Sequence, residues 1–174
     1  AAKTLLSTQG YEATSPRDVQ ASSGVGQGSF YHHFAGKADL AFAALLSLAD
    51  EMSDAFDSLA DGDGIDLIGG YLNVPRDALS GCRIGRIAME SSMADDRIRV
   101  PIAGYFSHMR LRLTGAFSLL DTGMAPEALA DLAIATVQGG YVLARVTADP
   151  QALRNATSAL DSLIRSFGAT GDDR

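Results

Sequence analysis

The chain has 174 residues, of which 47% are hydrophobic, so it has enough apolar surface to form a core and does not belong with disordered proteins. Its net charge of −7 argues against a protein that coats nucleic acid regardless of sequence. No apolar run approaches the roughly 20 residues that span a bilayer, and no signal peptide is recognisable, so we expect a cytoplasmic protein without membrane partners.

Helical periodicity dominates the chain and predicts an all-α protein. Apolar residues recur three and four positions apart in several long segments, and glycine- or proline-containing stretches separate them. The pattern predicts about nine helices, over residues 1–9, 16–22, 27–33, 37–60, 65–79, 83–94, 98–120, 126–147 and 150–167. Three short helices would form a small head, and the long ones a larger body.

The charges also divide the chain into two parts. Residues 1–46 carry three basic and three acidic side chains, so the whole net charge lies in the remaining residues. We therefore predict a head over residues 1–46 and a body over residues 47–174. The "DGDG" sequence at 61–64 lacks the glutamate that a calcium loop places at its twelfth position, here Leu72, and is predicted to be a linker.

The second predicted helix has a well-marked beginning and end. Ser15 is a good N-cap, Pro16 suits the first helical position, and Asp18 completes a capping box. Gly24 is expected in the left-handed conformation that ends a helix, with Val25 filling the angle before the next one. Two short helices joined by such a turn predict a helix-turn-helix.

The stretch "GVGQGSFYHHF" at residues 24–34 allows four interpretations. A phosphate cradle requires a preceding strand, and here a helix precedes. A zinc pair requires histidines four apart, whereas His32 and His33 are adjacent. A serine nucleophile at Ser29 would have no recognisable oxyanion hole. A helix that reads DNA explains the stretch best, because small residues permit close approach and the polar ones can bond to bases or phosphates. Neither a metal, a cofactor nor an enzymatic activity is expected.

The first 46 residues contain a specific set of motifs: Gly10 with Tyr11, Thr14 with Ser15, Gly24 with Val25, the Tyr31–Phe34 segment, and Lys37. With these motifs the segment resembles the DNA-binding head of the TetR family of bacterial transcriptional regulators. The resemblance departs at Gly26 and Gly36, where polar residues are common. The chain also begins inside its first helix, so we expect further residues upstream.

The resemblance implies a homodimeric repressor that binds a double-stranded DNA operator and responds to a small-molecule effector. Residues that match groove-facing or phosphate-facing positions of the recognition helix are Gln27, Gly28, Ser29, Tyr31 and His32. Other residues match phosphate or near-phosphate positions, namely Ser15, Arg17, His33 and Lys37. The repressor would be released from a pseudo-palindromic site by its effector.

The body is expected to supply the dimer contact and the effector pocket. Small and apolar residues of the last two helices predict the dimer interface: Ala133, Gly140, Ala144, Leu153, Leu160, Leu163, Ile164 and Phe167. Apolar residues with a few polar anchors predict the pocket: Met89, Ser92, Met93, Tyr105, Phe106, Met109, Arg110 and Tyr141. For both sets, packing in the protein's own core is the open alternative.

Two further hypotheses remain open from the sequence. Cys82 lies beside Arg83 and Arg86 and before a predicted helix, an environment that favours a thiolate and hence sensing of electrophiles or oxidants. A helical carrier or interaction protein with a vestigial head is the alternative class.

Overall fold

The computed structural model describes residues 1–59 and 64–169. This part of the chain contains eight α-helices and two short 3₁₀ helices, Ile87–Met89 and Ser91–Ala94. The α-helices are α1 (Ala2–Gln9), α2 (Pro16–Ser23), α3 (Gln27–His33), α4 (Lys37–Asp57), α5 (Gly64–Asn73), α6 (Asp96–Phe117), α7 (Pro126–Thr147) and α8 (Gln151–Ala169). The prediction of an all-α protein is confirmed. Residues 61–63 of the predicted linker lie outside the described residues.

The chain forms two compact units. The first consists of Ala1–Met52 together with Cys82–Phe106, and the second of Ser53–Gly81 together with Ser107–Arg174. The first unit therefore combines the predicted head with a later segment of the chain. The predicted domain division after residue 46 stays a prediction.

The first unit is built around the short helices α1 to α3. Each contributes one fully or almost fully buried apolar side chain, namely Leu6, Val19 and Phe30. Leu45 and Leu48 of α4 and Ile84, Ile87, Ile98 and Ile102 of the later segment are also buried. Burial of these side chains stabilises helices that are too short to persist alone in water.

The second unit has its own core. Phe56 at the end of α4 packs edge-on against Tyr71 of α5, with ring centroids 5.5 Å apart. Helices α7 and α8 approach closely at Gly140, where an added Cβ would lie 2.5 Å from Leu153 Cδ1 and 3.2 Å from Leu153 Cα. Gly140 therefore serves packing between two helices of one chain.

The predicted helix over residues 83–94 is wrong. Residues 83–86 form turns, and the two 3₁₀ helices follow, separated by Glu90 in an extended conformation (φ −91°, ψ 154°). The Cys82 Sγ accepts the Gly85 N–H at 3.3 Å, and the Glu90 carboxylate accepts two backbone N–H groups of another segment. These contacts replace the helical hydrogen bonds that apolar periodicity alone predicts.

Helix α5 ends at Asn73 instead of at the predicted residue 79. Pro75 disfavours the helical conformation of the residue before it. The Arg76 guanidinium then donates to the carbonyl oxygens of Leu72 (3.2 Å), Val74 (3.0 Å) and Tyr71, which satisfies acceptors at the end of the helix. Pro101, in contrast, lies inside α6 near its beginning.

Gly64, the first residue of α5, makes a testable packing contact. A Cβ added there would lie 2.3 Å from the carbonyl oxygen of Ala116, which is backbone and cannot move aside cheaply. Gly64→Ala is therefore expected to lower the free energy of unfolding by about 1–3 kcal/mol in urea denaturation.

Gly115→Ala is the matched control for Gly64→Ala, because a Cβ at Gly115 of α6 would meet no atom of the described residues within 4 Å. The control is expected to leave the free energy of unfolding unchanged or to raise it by about 0.5–1 kcal/mol. Equal stabilities for the two variants would show that the contact at Gly64 is not a close one.

Candidate nucleic-acid interface

Helices α2 and α3 form a helix-turn-helix. The Ser15 Oγ accepts the Asp18 N–H at 3.2 Å, and Asp18 Oδ2 accepts the Ser15 N–H at 2.8 Å, so the expected capping box is present. Gly24 ends α2 in the left-handed region (φ 71°, ψ 9°) and its N–H donates to the Gln20 carbonyl oxygen. Val25, expected to fill the angle between the helices, is 42% exposed.

Helix α3 exposes six of its seven residues. Phe30 is 4% exposed and anchors the helix, with its ring 5.0 Å from that of Tyr31 and 5.9 Å from that of Phe34. The exposed residues are Gln27, Gly28, Ser29, Tyr31, His32 and His33, which are five of the predicted groove-facing residues and one predicted phosphate-facing residue. The helix thus presents a polar surface, with hydrogen-bonding groups and little bulk at its N-terminal end.

The glycines at the beginning of α3 are not required by packing. A Cβ at Gly26, which caps α3 with extended backbone, or at Gly28 would have no other described atom within 4 Å. The space beside Gly28 is therefore open to solvent or to a bound molecule.

The remaining predicted phosphate contacts lie near α3 in sequence but differ in surroundings. Arg17 is exposed in the first turn of α2, and Ser15 is partly exposed as its N-cap. The Lys37 Nζ donates to the Glu12 carbonyl oxygen at 3.2 Å and lies 4.2 Å from the centroid of the Tyr11 ring. Lys37 is therefore held beside the turn that precedes α2.

Sequence reasoning missed how this turn, Gly10–Glu12, is held. The Glu90 carboxylate accepts the Tyr11 N–H at 3.1 Å and the Glu12 N–H at 2.9 Å. In return, the Glu12 carboxylate accepts the Ser91 hydroxyl at 2.6 Å and the Ser92 N–H at 3.2 Å. We call these contacts the Glu90 clasp. The signal available in the sequence was the glycine at position 10, a residue type that adopts positive φ angles easily. In the structure Gly10 has φ +88°.

These features define a helix-turn-helix DNA-binding protein. Residues 1–44 match the family model of bacterial regulatory proteins, tetR family, and residues 73–159 match the LmrA/YxaF-like transcriptional regulator C-terminal domain. The chain belongs to the tetR family of transcriptional regulators.

Two relatives illustrate the sequence similarity. A helix-turn-helix-type transcriptional regulator of the lacX 3' region of Lactococcus lactis subsp. lactis is 27% identical over 99% of this chain and 92% of its own. The regulator MT0206 of Mycobacterium tuberculosis is 30% identical over 83% of this chain and 80% of its own.

Solved structures share the fold. A TetR transcriptional regulator from Chloroflexus aurantiacus has a TM-score of 0.84 at 26% identity and covers 94% of this chain and 90% of its own. The reduced form of Escherichia coli NemR has a TM-score of 0.80 at 20% identity and covers 91% and 90% of the two chains. At the latter identity the likeness concerns the fold alone.

The eight predicted effector-binding residues are divided between the units. Met89, Ser92, Met93, Tyr105 and Phe106 belong to the first, and Met109, Arg110 and Tyr141 to the second. Met89 is 89% exposed, so it faces solvent and lines no enclosed pocket. Arg110 is bonded through Nε and Nη2 to the Asp131 carboxylate at 2.6 and 3.0 Å. Tyr105 and Met109 are buried as core residues.

The second unit contains an open groove of about 350 Å³ that the predicted set does not include. It lies between the segment after α5 and the first half of α8, and Arg76, Arg154 and Thr157 are among its lining residues. Pockets for small ligands commonly begin at about 300 Å³. The groove is thus within the size range for a small molecule.

The predicted dimer residues are mostly buried by their own chain. Ala133, Gly140, Ala144, Leu153, Leu160 and Ile164 are buried, so they cannot offer a free surface to a second copy in this conformation. Their periodicity reports packing of α7 and α8 within one protomer. Leu163 (61% exposed) and Phe167 (38% exposed) do lie on the surface.

A second apolar face of these two helices is exposed. On α7 most of its members lie three, four or seven positions apart, and three apolar residues of α8 are exposed as well. We call it the α7/α8 apolar surface; its members are Leu132, Ala135, Gly139, Val142, Leu143, Val146, Ala159, Leu163 and Phe167. Exposed apolar residues that recur along one face of a helix are typical of interaction sites in soluble proteins.

The structure removes one physical reason for a reactive Cys82. Turns, not an α-helix, follow this residue, so no helix N-terminus begins directly after its partly buried thiol. The Arg86 guanidinium donates to the Thr8 carbonyl oxygen. Electrophile sensing through Cys82 is therefore not favoured.

The part of the chain that the structure describes, residues 1–59 and 64–169, holds neither a cluster of metal ligands nor a membrane-spanning helix. In that part of the chain no three His, Cys, Asp or Glu side chains are grouped as metal ligands. None of its helices is both long enough and apolar enough to cross a bilayer.

Proposed function

We propose that this regulator is a repressor that binds a pseudo-palindromic DNA operator as a homodimer and is released by a small molecule. The observation that carries the proposal is the exposure of every residue of α3 except its anchor Phe30. A helix held by one buried ring, with open space beside Gly28, is suited to enter the major groove.

Residues of α3 would contact both bases and phosphates, and residues around α3 would contact phosphates. Gln27 carries an amide that can read a base edge, and Ser29, Tyr31 and His32 can bond to bases or phosphates. Ser15, Arg17, His33 and Lys37 would contact phosphates, which give affinity and register but little sequence information. The chain's acidity is compatible with this role because charges are screened over about 8–10 Å.

The α7/α8 apolar surface supports a homodimer. A two-fold assembly places two recognition helices in successive major grooves, about 34–36 Å apart, and so reads a symmetric site. Exposed valine and leucine side chains flank Gly139, where a Cβ would meet none of the described atoms. A partner helix can therefore approach closely at this glycine.

Two observations support the proposed release by a small molecule: the chain's membership of the tetR family and the groove of about 350 Å³ in the second unit. Arg76 and Arg154 line the groove. Within the described residues neither forms an ion pair with a carboxylate; Arg76 donates to backbone carbonyl oxygens and Arg154 to the Gln151 side chain. A small molecule with a negatively charged group suits such a lining. A ligand releases DNA only by its different affinity for the two states of the protein.

Selection from a pool of random duplex DNA tests the proposed function. The purified protein is incubated with the pool at about 0.1 M salt. An enriched two-fold-symmetric site is the expected result. No enrichment, even at low salt, would contradict DNA reading by α3 and would favour a helical carrier or interaction protein.

Substitutions of Lys37 and Gln27 are expected to separate affinity from specificity. Lys37→Ala should weaken binding to all sequences similarly and reduce the slope of log K against log salt by about 1, because one phosphate contact is lost. Gln27→Ala should relax preference at one base-pair position and leave the slope unchanged. Fluorescence anisotropy on operator and scrambled duplexes measures both. An unchanged slope for Lys37→Ala would remove Lys37 from the phosphate contacts.

A further inference from the structure

We propose that Glu90 is a positioning residue for DNA binding, which holds the Gly10–Glu12 turn and through it Lys37. The inference rests on the proposed function. Glu90 lies far from the head in sequence, in the part of the chain that matches the C-terminal domain, yet it belongs to the same compact unit as the head.

The first step is the bond between Glu90 and the turn. Its two carboxylate oxygens accept the N–H groups of Tyr11 and Glu12, so both acceptors face consecutive backbone donors. A carboxylate that accepts backbone N–H groups forms stronger hydrogen bonds than a neutral acceptor. The turn approaches so closely that a Cβ at Gly10 would lie 1.9 Å from Glu90 Oε1.

The second step is the return contact, which fixes Glu90 itself. Glu12 Oε1 accepts the Ser91 hydroxyl and the Ser92 N–H, and the Ser92 hydroxyl donates to Glu90 Oε2 at 3.2 Å. The Ser91 hydroxyl bond holds the pKa of Glu12 below its usual value. Glu12 is therefore ionised at neutral pH, and its own contact with Ser91 and Ser92 weakens only in acid.

The third step leads to the DNA-binding surface. The Lys37 ammonium is held by the Glu12 carbonyl oxygen and the Tyr11 ring, which belong to the two residues whose N–H groups Glu90 holds. The same turn leads within three residues to Ser15, the N-cap of α2. Displacement of the turn would therefore move a phosphate-binding lysine and the beginning of the helix-turn-helix together.

Glu90→Gln tests the inference in the full-length protein. A glutamine can accept one N–H, but its amide nitrogen would face the other, so the turn loses one of its two anchors. Operator affinity is expected to fall about tenfold, as for loss of one charged hydrogen bond, and the salt slope by about 1. In the Lys37→Ala background the same substitution should have a clearly smaller effect than in the unaltered protein, because one of the contacts that the turn positions is already absent.

Asp96→Asn is the matched control. It removes the same charge from the neighbouring segment, where the Asp96 carboxylate pairs with Arg99 at 2.7 Å and makes no contact with the turn. Wild-type affinity for Glu90→Gln, or equal losses for the two variants, would overturn the inference. A fully additive loss with Lys37→Ala would overturn it as well, since Glu90 would then act elsewhere.

Amide hydrogen exchange supplies a readout that needs no DNA. Glu90→Gln should speed exchange of the Tyr11 and Glu12 amides and leave the Phe30 amide of α3 protected, whereas a general loss of stability would speed all three. If the unaltered protein binds no duplex, the proposed function fails and this inference fails with it. If the unaltered protein binds its operator and the Glu90→Gln variant binds equally well, this inference fails and the proposed function stands.

Discussion

Val142→Glu is expected to convert the protein to a monomer and to lower operator affinity at least about 100-fold. Val142 is 61% exposed at the centre of the α7/α8 apolar surface. A glutamate there would be buried without a partner in the dimer, which is costly, whereas in the monomer it stays in water. Loss of the second recognition helix removes the gain from two linked contacts, which commonly amounts to about 10²–10⁴. Light scattering and anisotropy measure the two effects.

Leu111→Glu is the control for the dimer prediction. Leu111 is also an exposed apolar residue of the second unit, 72% exposed on α6, but it lies outside the α7/α8 apolar surface. Leu111→Glu should leave the mass of the assembly in solution and the operator affinity unchanged. If the Val142→Glu variant were dimeric and the Leu111→Glu variant monomeric, α6 and not the α7/α8 apolar surface would form the dimer interface.

Gly28→Ala is expected to weaken operator binding about 10- to 100-fold without destabilising the protein. The added methyl group meets no described atom of the chain, so the fold should tolerate it and the helix should gain slightly in stability. In the complex the methyl group would occupy space needed for close approach to DNA, which can disrupt contacts worth about 1–3 kcal/mol each. Thermal denaturation and anisotropy measure the two properties separately.

Gly104→Ala serves as the comparison for Gly28→Ala. Gly104 is an exposed glycine of α6 in the same unit, and its added Cβ would likewise be clear of all described atoms within 4 Å. It should stabilise the helix and leave operator affinity unchanged. Equal affinities for the two variants would mean that DNA does not approach the helix at Gly28.

The head could be predicted from the sequence almost residue by residue. Helix 27–33 and the capping box of Ser15 with Asp18 depend on local chemistry, which neighbouring residues fully determine. The segment 83–94 could not be predicted in this way. Its extended residue Glu90 bonds to a turn that is distant in sequence, so the hydrogen bonds that decide its conformation are invisible to periodicity.

The dimer residues illustrate a different limit. Helix α7 has apolar side chains on more than one face, with Ala133 and Ala144 buried and Val142 and Val146 exposed. Apolar periodicity reports that a helix has faces to cover, but it does not say which face the same chain covers. The stability of Gly64→Ala tests a packing contact within the chain, and the mass of Val142→Glu in solution tests a contact between two chains.

The Glu90 clasp has a consequence for engineering. A chimera that grafts residues 1–44 onto the body of another regulator would carry the Gly10–Glu12 turn without the carboxylate that accepts its two amides. Such a hybrid would need a compatible acidic residue, or the transplanted piece would have to include residues 82–106 as well. The unit that could be exchanged between regulators therefore consists of two separate segments of this chain, residues 1–44 and residues 82–106.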